Sequence, residues 1–294
     1  MMLLLVAGPA ALVPPGSRPS GAVACRGAAY DYCVQSLGCT AAEATKAEGA
    51  LLPNIAESMT RAQAEERLGW LQSELGLSDA ELKKVVMRLP SLLSYKVEAN
   101  VPKLDWLQKR LDLGDAQLRK MVLTFPQVLG YSIEDNLAPK LDWLQDRLDL
   151  DAAQLNKMVL RPPAVLGLSV EDNMAPKLDW LQSRLDLDDL GLRKTVLAFP
   201  ALLTYSVEDN MEPKLGFYEE ELGLSPTEVR ASIVSIPASL GYSLKTRYRP
   251  RLEVCRAVGA DVSIVLRGAY QTDAAFCKRV GVTLEALRAA QEDV

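Results

Sequence analysis

One phrase keeps returning along this chain. "SVEDNMAPKLDWLQSRLDL", beginning at Ser169, repeats "SIEDNLAPKLDWLQDRLDL" from 37 residues earlier; "KVEANVPKLDWLQKRLDL" precedes both, and a blurred "SVEDNMEPKLGFYEEELGL" follows. A chain that repeats itself at such a period is restricted to stacked, quasi-one-dimensional architectures. A proline after a short apolar run sets the ruler: Pro90, Pro126, Pro163, Pro200 and Pro237, in steps of 36, 37, 37 and 37 residues. An aromatic follows 17 residues later at Trp143, Trp180 and Phe217, and 16 later at Trp106, in a copy one residue shorter. Trp70 lies 17 residues after Pro53 and marks a degenerate first copy.

Each copy reads as two helices and a tight connector. Leu141, Leu144 and Leu148 are spaced by three and four and give the first helix one apolar stripe. Its start has two readings. Ser132 with Asp135 resembles a capping box but sets Pro139 in the second turn, whereas Asn136 as cap puts Pro139 in the first, where a missing N–H costs little. A bend at this proline is expected. The second helix starts at Ser78, Gly114, Asp151, Asp188 and Ser225, followed three residues on by Glu81, Gln117, Gln154, Gly191 and Glu228. Leu118, Met121, Val122 and Phe125 form its apolar face, and the proline ends it. The "PQVLGY" type of segment is too short for a third helix and suits one 3₁₀ turn.

Two helices in 37 residues cannot bury their stripes alone, but stacked copies share a core. The expected fold is therefore all-α, a superhelical solenoid of helix–helix–3₁₀ repeats. Residues 53–240 hold five tandem copies and 241–294 a C-terminal capping module, in which Val254 replaces the aromatic. Residues 31–52 read as an Ala-rich, poorly packed helical lead-in. Residues 1–30 contain four prolines, Arg18 and Arg26 and no acidic residue, and read as a targeting presequence with a signal-like apolar start, too short to span a bilayer.

The chain has no histidine, which removes His-based acid–base catalysis, Ser-His-Asp triads and Cys/His zinc sites. Its five cysteines, Cys25, Cys33, Cys39, Cys255 and Cys277, form no C-x-x-C pair and suit free thiols in a reducing compartment. No nucleophile–base arrangement or phosphate-cradling glycine loop is present. Pairs such as Glu134–Asp135 and Glu171–Asp172 recur with the repeat and read as caps and solubility, and "YEEEL" at Tyr218–Leu222 as a solvated face. No catalytic residue, metal site, cofactor or membrane association is expected.

The recurring apolar helix end, proline, "LLxYS" or "VLGYS" and "ExNxxPKLxWL" resemble the mitochondrial transcription termination factor (mTERF) family, over roughly residues 53–280. "SLGYSLKTRYRPRLEVCRAVG" followed by "TDAAFCKRVG" resembles the family's closing module. The resemblance implies an organellar protein, mitochondrial or plastidic, with a positively charged path for double-stranded DNA or structured RNA. It further implies a role in transcription, its termination, splicing or ribosome assembly, alone or with organellar transcription or processing proteins.

Three sets of cations are candidates for that path. Lys103, Lys140, Lys177 and Lys214 follow the recurrent proline, with Arg251 at the same place in the cap. They read either as a phosphate row or as stems lying over the tryptophans with the ammonium in water. Arg119, Lys120, Lys157, Arg193 and Lys194 form a row on the second helices, either a contact or an ordinary wet face. "KTRYRPR" brings Lys245, Arg247, Tyr248, Arg249 and Arg251 together; arginine forks match phosphate oxygens and tyrosines stack. The net charge of −5 runs against a basic nucleic-acid binder and keeps open a monomeric helical scaffold for other proteins; only residues 241–294 are basic, at +3.

Overall fold

The computed structural model describes residues 27–292. Among these the chain is helical throughout, without strands. The expected presequence lies outside the described residues but for its last four, 27–30, and of these Ala28–Tyr30 already belong to helix α1 (Ala28–Gln35). With α2 (Ala41–Gly49) it forms the lead-in. The expectation of poor packing is overturned: Ala29, Tyr30, Tyr32, Cys33, Ala44 and Ala47 are buried, α1 packing on α2 and on α4 (Arg61–Leu75). The alanines that suggest a loose segment allow the two helices a close approach.

Pro53 opens a six-residue helix, α3 (Pro53–Ser58), rather than a 3₁₀ turn, and α4 follows from its Thr60 cap. The copies then alternate as the repeat predicts. First helices are α4, α6 (Val97–Arg110), α8 (Ala138–Arg147), α10 (Ala175–Arg184) and the short α12 (Glu212–Gly216). Second helices are α5 (Asp79–Arg88), α7 (Asp115–Thr124), α9 (Ala152–Leu160), α11 (Asp189–Ala198) and α13 (Pro226–Ser235). Each second helix has its predicted start: the side chains of Ser78, Asp151, Asp188 and Ser225 accept from the backbone N–H three residues on, and Gly114 donates its own N–H to Gln117 Oε1 at 2.9 Å. After each comes a five-residue 3₁₀ helix opened by the ruler proline, at Pro90, Pro126, Pro163, Pro200 and Pro237.

The two readings of the first-helix start resolve toward Ser132, Ser169 and Ser206, whose hydroxyls accept from Asp135, Asp172 and Asp209. The bend at the proline takes a specific form. Residues Ile133–Leu137, Val170–Met174 and Val207–Met211 form a π-turn, with Leu137 N–H donating to Ser132 O, five residues back. A proline ring clashes with the carbonyl four residues before it, and widening the turn by one residue relieves that clash. The shorter copy lacks the extra residue: α6 runs straight through Pro102 as an ordinary α-helix. The step of 36 among steps of 37 is thus a π-turn missing from one copy.

Leucines such as Leu141, Leu144, Leu178, Leu181 and Leu215 are buried between copies, each contributing about 1.5–3 kcal/mol. The C-terminal module opens with a further π-turn, Leu244–Tyr248, continues into α14 (Arg249–Ala257) and α15 (Ile264–Arg267), and closes with α16 (Asp273–Val280) and α17 (Leu284–Glu292), which folds back on α14.

Candidate nucleic-acid interface

The first candidate row is not a surface feature. Lys140, Lys177 and Lys214 are only 6%, 5% and 4% exposed, and Arg251 is 0%. Each lysine ammonium donates to a carbonyl at the end of the next copy's 3₁₀ helix, 26 residues on: Lys103 to Leu129 O, Lys140 to Leu166 O, Lys177 to Leu203 O and Lys214 to Leu240 O, all at 2.5 Å. Arg67 does the same to Leu93 O at 2.6 Å, so the column begins one copy earlier than the lysines suggest. Asn136, Asn173 and Asn210 accept a second bond from the lysine four residues on, and Tyr131 and Tyr205 place rings under Lys140 and Lys214 at 5.5 and 5.7 Å. Neither the phosphate reading nor the solvated-stem reading describes this row. It is a column of staples between copies, half-buried at Arg67 and Lys103 and buried at Lys140, Lys177 and Lys214. Burial lowers the pKa of Lys103, Lys140 and Lys177, opposed in each by a carboxylate of the next connector, and brings Lys214 down to about 8.

The arginine-rich patch is likewise turned inward. Arg251 donates to Gly268 O, Gln271 O and Asp273 Oδ1 and lies over the Phe276 ring. Arg247 donates to Ala269 O and Gln271 O with its guanidinium 4.5 Å over Tyr242. Tyr248 is fully buried and donates its hydroxyl proton to Ser239 O at 2.7 Å. Arg249 is exposed but pairs with Glu221 at 3.0 Å. Only Lys245 stands in solvent without a partner. The patch is therefore a latch for the cap, and as a phosphate surface it reduces to one free lysine and one neutralised arginine.

The second-helix row divides by register. Arg119 is taken by Glu81 at 2.7 Å. Arg193 and Arg230 reach back 44 residues to the carbonyls and carboxylates of Asp149 and Asp186, and Asn156 to the carbonyls of Leu111 and Asp112. Asp112, Asp149 and Asp186 hold the left-handed conformation after the first helix, with φ of 49°, 47° and 46°, where Gly76 and Gly223 stand in the outer copies. The cross-copy donors thus brace a backbone that aspartate tolerates less readily than glycine.

One residue further on, the picture changes. Lys120, Lys157 and Lys194 are exposed and bear no hydrogen bond or ion pair, and Lys84, 36 residues before Lys120, continues the row. Sequence reasoning missed Lys84, although the shorter step before Lys120 marks it. The second helices that carry these lysines stack on one another, α5 on α7 and α9 on α11. Carboxylates at the starts of the same helices are engaged elsewhere: Asp79, Asp115 and Asp189 accept from Gln72, Gln108 and Gln182 of the preceding helix, and Glu81 from Ser78 and Arg119. What remains free along this face is a line of four ammonium groups at one register position. Such a line attracts polyanions by charge and selects no base.

Among the described residues no group of cysteines and carboxylates is arranged to hold a metal ion, and no helix is long and apolar enough to cross a membrane. A family model described as mTERF matches the chain twice, over residues 46–190 and over 109–267. No curated protein matches it.

Proposed function

The chain belongs to the mTERF family, and on that premise we propose that it is an organellar protein that grips double-stranded DNA and regulates organellar transcription or its termination. The observation that carries this reading is the free lysine line Lys84, Lys120, Lys157 and Lys194, set at one register on stacked second helices while most cations around it are consumed internally. Action is by occupancy. A stack of copies lays ammonium groups along phosphates, and the bound protein obstructs or recruits a polymerase. No catalytic step is involved. The net charge of −5 is a sum over the whole chain, whereas the contact is local: Glu81, at the start of the first helix of the line, is paired with Arg119.

The test is salt-dependent binding of the intact chain to a short DNA duplex. Changing Lys120, Lys157 and Lys194 together to Gln is expected to weaken binding and to lessen the slope of log K against log salt by about 2.7, three phosphate contacts at about 0.9 each. An unchanged affinity and slope would remove the line as the contact surface. An RNA duplex run in parallel separates a DNA role from one in splicing or ribosome assembly. A scaffold role for proteins is favoured by a different feature, the exposed connector carboxylates Glu98, Glu134, Asp135, Glu171, Asp172, Glu208 and Asp209. It becomes the better reading if neither duplex binds.

A further inference from the structure

Cys33 and Cys39 stand together in the lead-in, six residues apart. Cys33 lies in the last turn of α1 and is 0% exposed; Cys39 lies in the connector, one residue before the Thr40 cap of α2, and is 5% exposed. The chain reverses between them at Gly38, in the left-handed conformation with φ of 61°. Cys39 N–H donates to Cys33 O at 2.9 Å. Standard bond lengths around that hydrogen bond hold the two Cα atoms within about 6.8 Å, inside the range a disulfide spans. The thiols are near enough for each to shift the other's ionisation, the Cys33 S–H favouring the Cys39 thiolate. A cation completes the setting: Lys83 of α5 donates to Gly38 O at 3.0 Å, pairs with Glu43 at 2.9 Å and favours charge on Cys39.

We propose that Cys33 and Cys39 are a disulfide-forming site, closed by exchange with a low-molecular-weight disulfide such as oxidised glutathione. Cys39 reacts first. Its thiolate, the proton having passed to water, attacks one glutathione sulfur, forms a mixed disulfide and displaces the other glutathione as thiolate. Cys33 then gives up its proton, attacks the Cys39 sulfur and displaces the second glutathione. The protein loses two protons and two electrons, and one glutathione disulfide becomes two glutathione thiols. Burial raises both cysteine thiols, Cys33 up to about 12, so closure at neutral pH is slow and waits on a local opening of the connector. Reversal is slow for the same reason, because thiols of high pKa leave poorly. The site is therefore a lasting clasp rather than a rapid sensor. It ties the end of α1 to the connector that receives Lys83, and so fastens the lead-in where it meets α5.

The experiment incubates the full chain with oxidised glutathione, blocks the remaining thiols with iodoacetamide and applies trypsin without reductant. Cleavage after Arg26 and Lys46 releases residues 27–46, which contain Cys33 and Cys39 and no other cysteine. By mass spectrometry this peptide is expected two hydrogens lighter than its dithiol form and free of alkylation, and doubly alkylated when a reductant precedes the block. Cys33→Ser should stop the reaction halfway, with glutathione retained on Cys39. Hydrogen exchange of the oxidised wild type should show more protection in α1 and α2 than the reduced form. A wild-type peptide that stays doubly alkylated after prolonged oxidation, that carries glutathione on both cysteines, or that is linked to the peptides of Cys25, Cys255 or Cys277 overturns the proposal. The readout is on the wild-type chain, so a variant that folds poorly does not decide it.

Discussion

A lysine of the repeat is sealed or exposed according to its place in the copy: sealed three residues before the aromatic of the first helix, exposed on the outer side of the second. Lys177 is sealed against Leu203 O and Asn173, whereas Lys157 stands in water. Replacing Lys177 by Ala leaves a buried carbonyl without its donor and is expected to cost about 1–3 kcal/mol in urea unfolding, with duplex affinity unchanged. Lys157→Gln should do the reverse. Lys214 supplies a pH signature. Its pKa, held at about 8 by burial, lies below the usual lysine value of about 10.4. Between those values the unfolded chain holds the proton and the folded chain does not, so this residue makes stability rise with pH across that window. Urea midpoints at pH 7 and 9.5 should show that rise reduced in Lys214→Met. The sequence displays the lysine column plainly but not its direction. The clue lay in its companions, an Asn four residues before each buried lysine and Tyr131 or Tyr205 nine before, which build a socket rather than a surface. In "KTRYRPR" local density of charge likewise suggested exposure, because the carbonyls that absorb Arg247 and Arg251 lie 17–24 residues away in sequence.

At the level of elements, caps, helix ends and 3₁₀ turns were legible because each depends on residues within five positions of one another. The π-turn was legible only as a discrepancy of one residue. Its presence moves every preceding side chain by one place. In the longer copies Asn136, Asn173 and Asn210 stand four residues before the lysine while Leu137, Met174 and Met211 are buried beside them. In the shorter copy Ala99 stands four before Lys103, and Asn100 falls at the buried position, 3% exposed. Asn100→Leu should therefore stabilise the chain by about 1 kcal/mol, a rise in Tm of roughly 2–4 °C. Asn136→Leu should destabilise it, and thermal melts of the two variants test the contrast. The arginine ladder is set by the same register: Arg110 and Arg147 pair forward to Asp142 and Asp179, and Arg184 to Glu212 and Glu219. At Glu221 the sign reverses, and the cap supplies the cation from Arg249.

For the molecule as a whole, stability is a sum of copies and of the junctions between them. Weakening one junction should therefore act locally. Lys177→Ala is expected to divide hydrogen-exchange protection at its own junction, between α10 and the 3₁₀ helix Pro200–Thr204, leaving α4 to α7 at wild-type protection. Arg251→Met should instead lower protection in α14, α16 and α17 alone, by about 1–3 kcal/mol, because it leaves Gly268 O and Gln271 O without their buried donor. Uniform loss across the chain in either variant would mean that the stack melts as one unit. The same junctions shape the charge distribution: Lys140, Lys177, Lys214 and Arg251 are spent inside, while Lys84, Lys120, Lys157 and Lys194 stay exposed at one register position.

The staples run one way. From Arg67 to Lys214 the donor belongs to the earlier copy and its acceptor lies 26 residues later. During synthesis, then, every completed copy keeps its ammonium or guanidinium in water until its successor has been translated, and each arrival takes up one donor while the next is still exposed. Assembly acquires a heading from the N-terminus to the C-terminus, and the last donor at this repeat position is taken up when Arg251 finds Gly268.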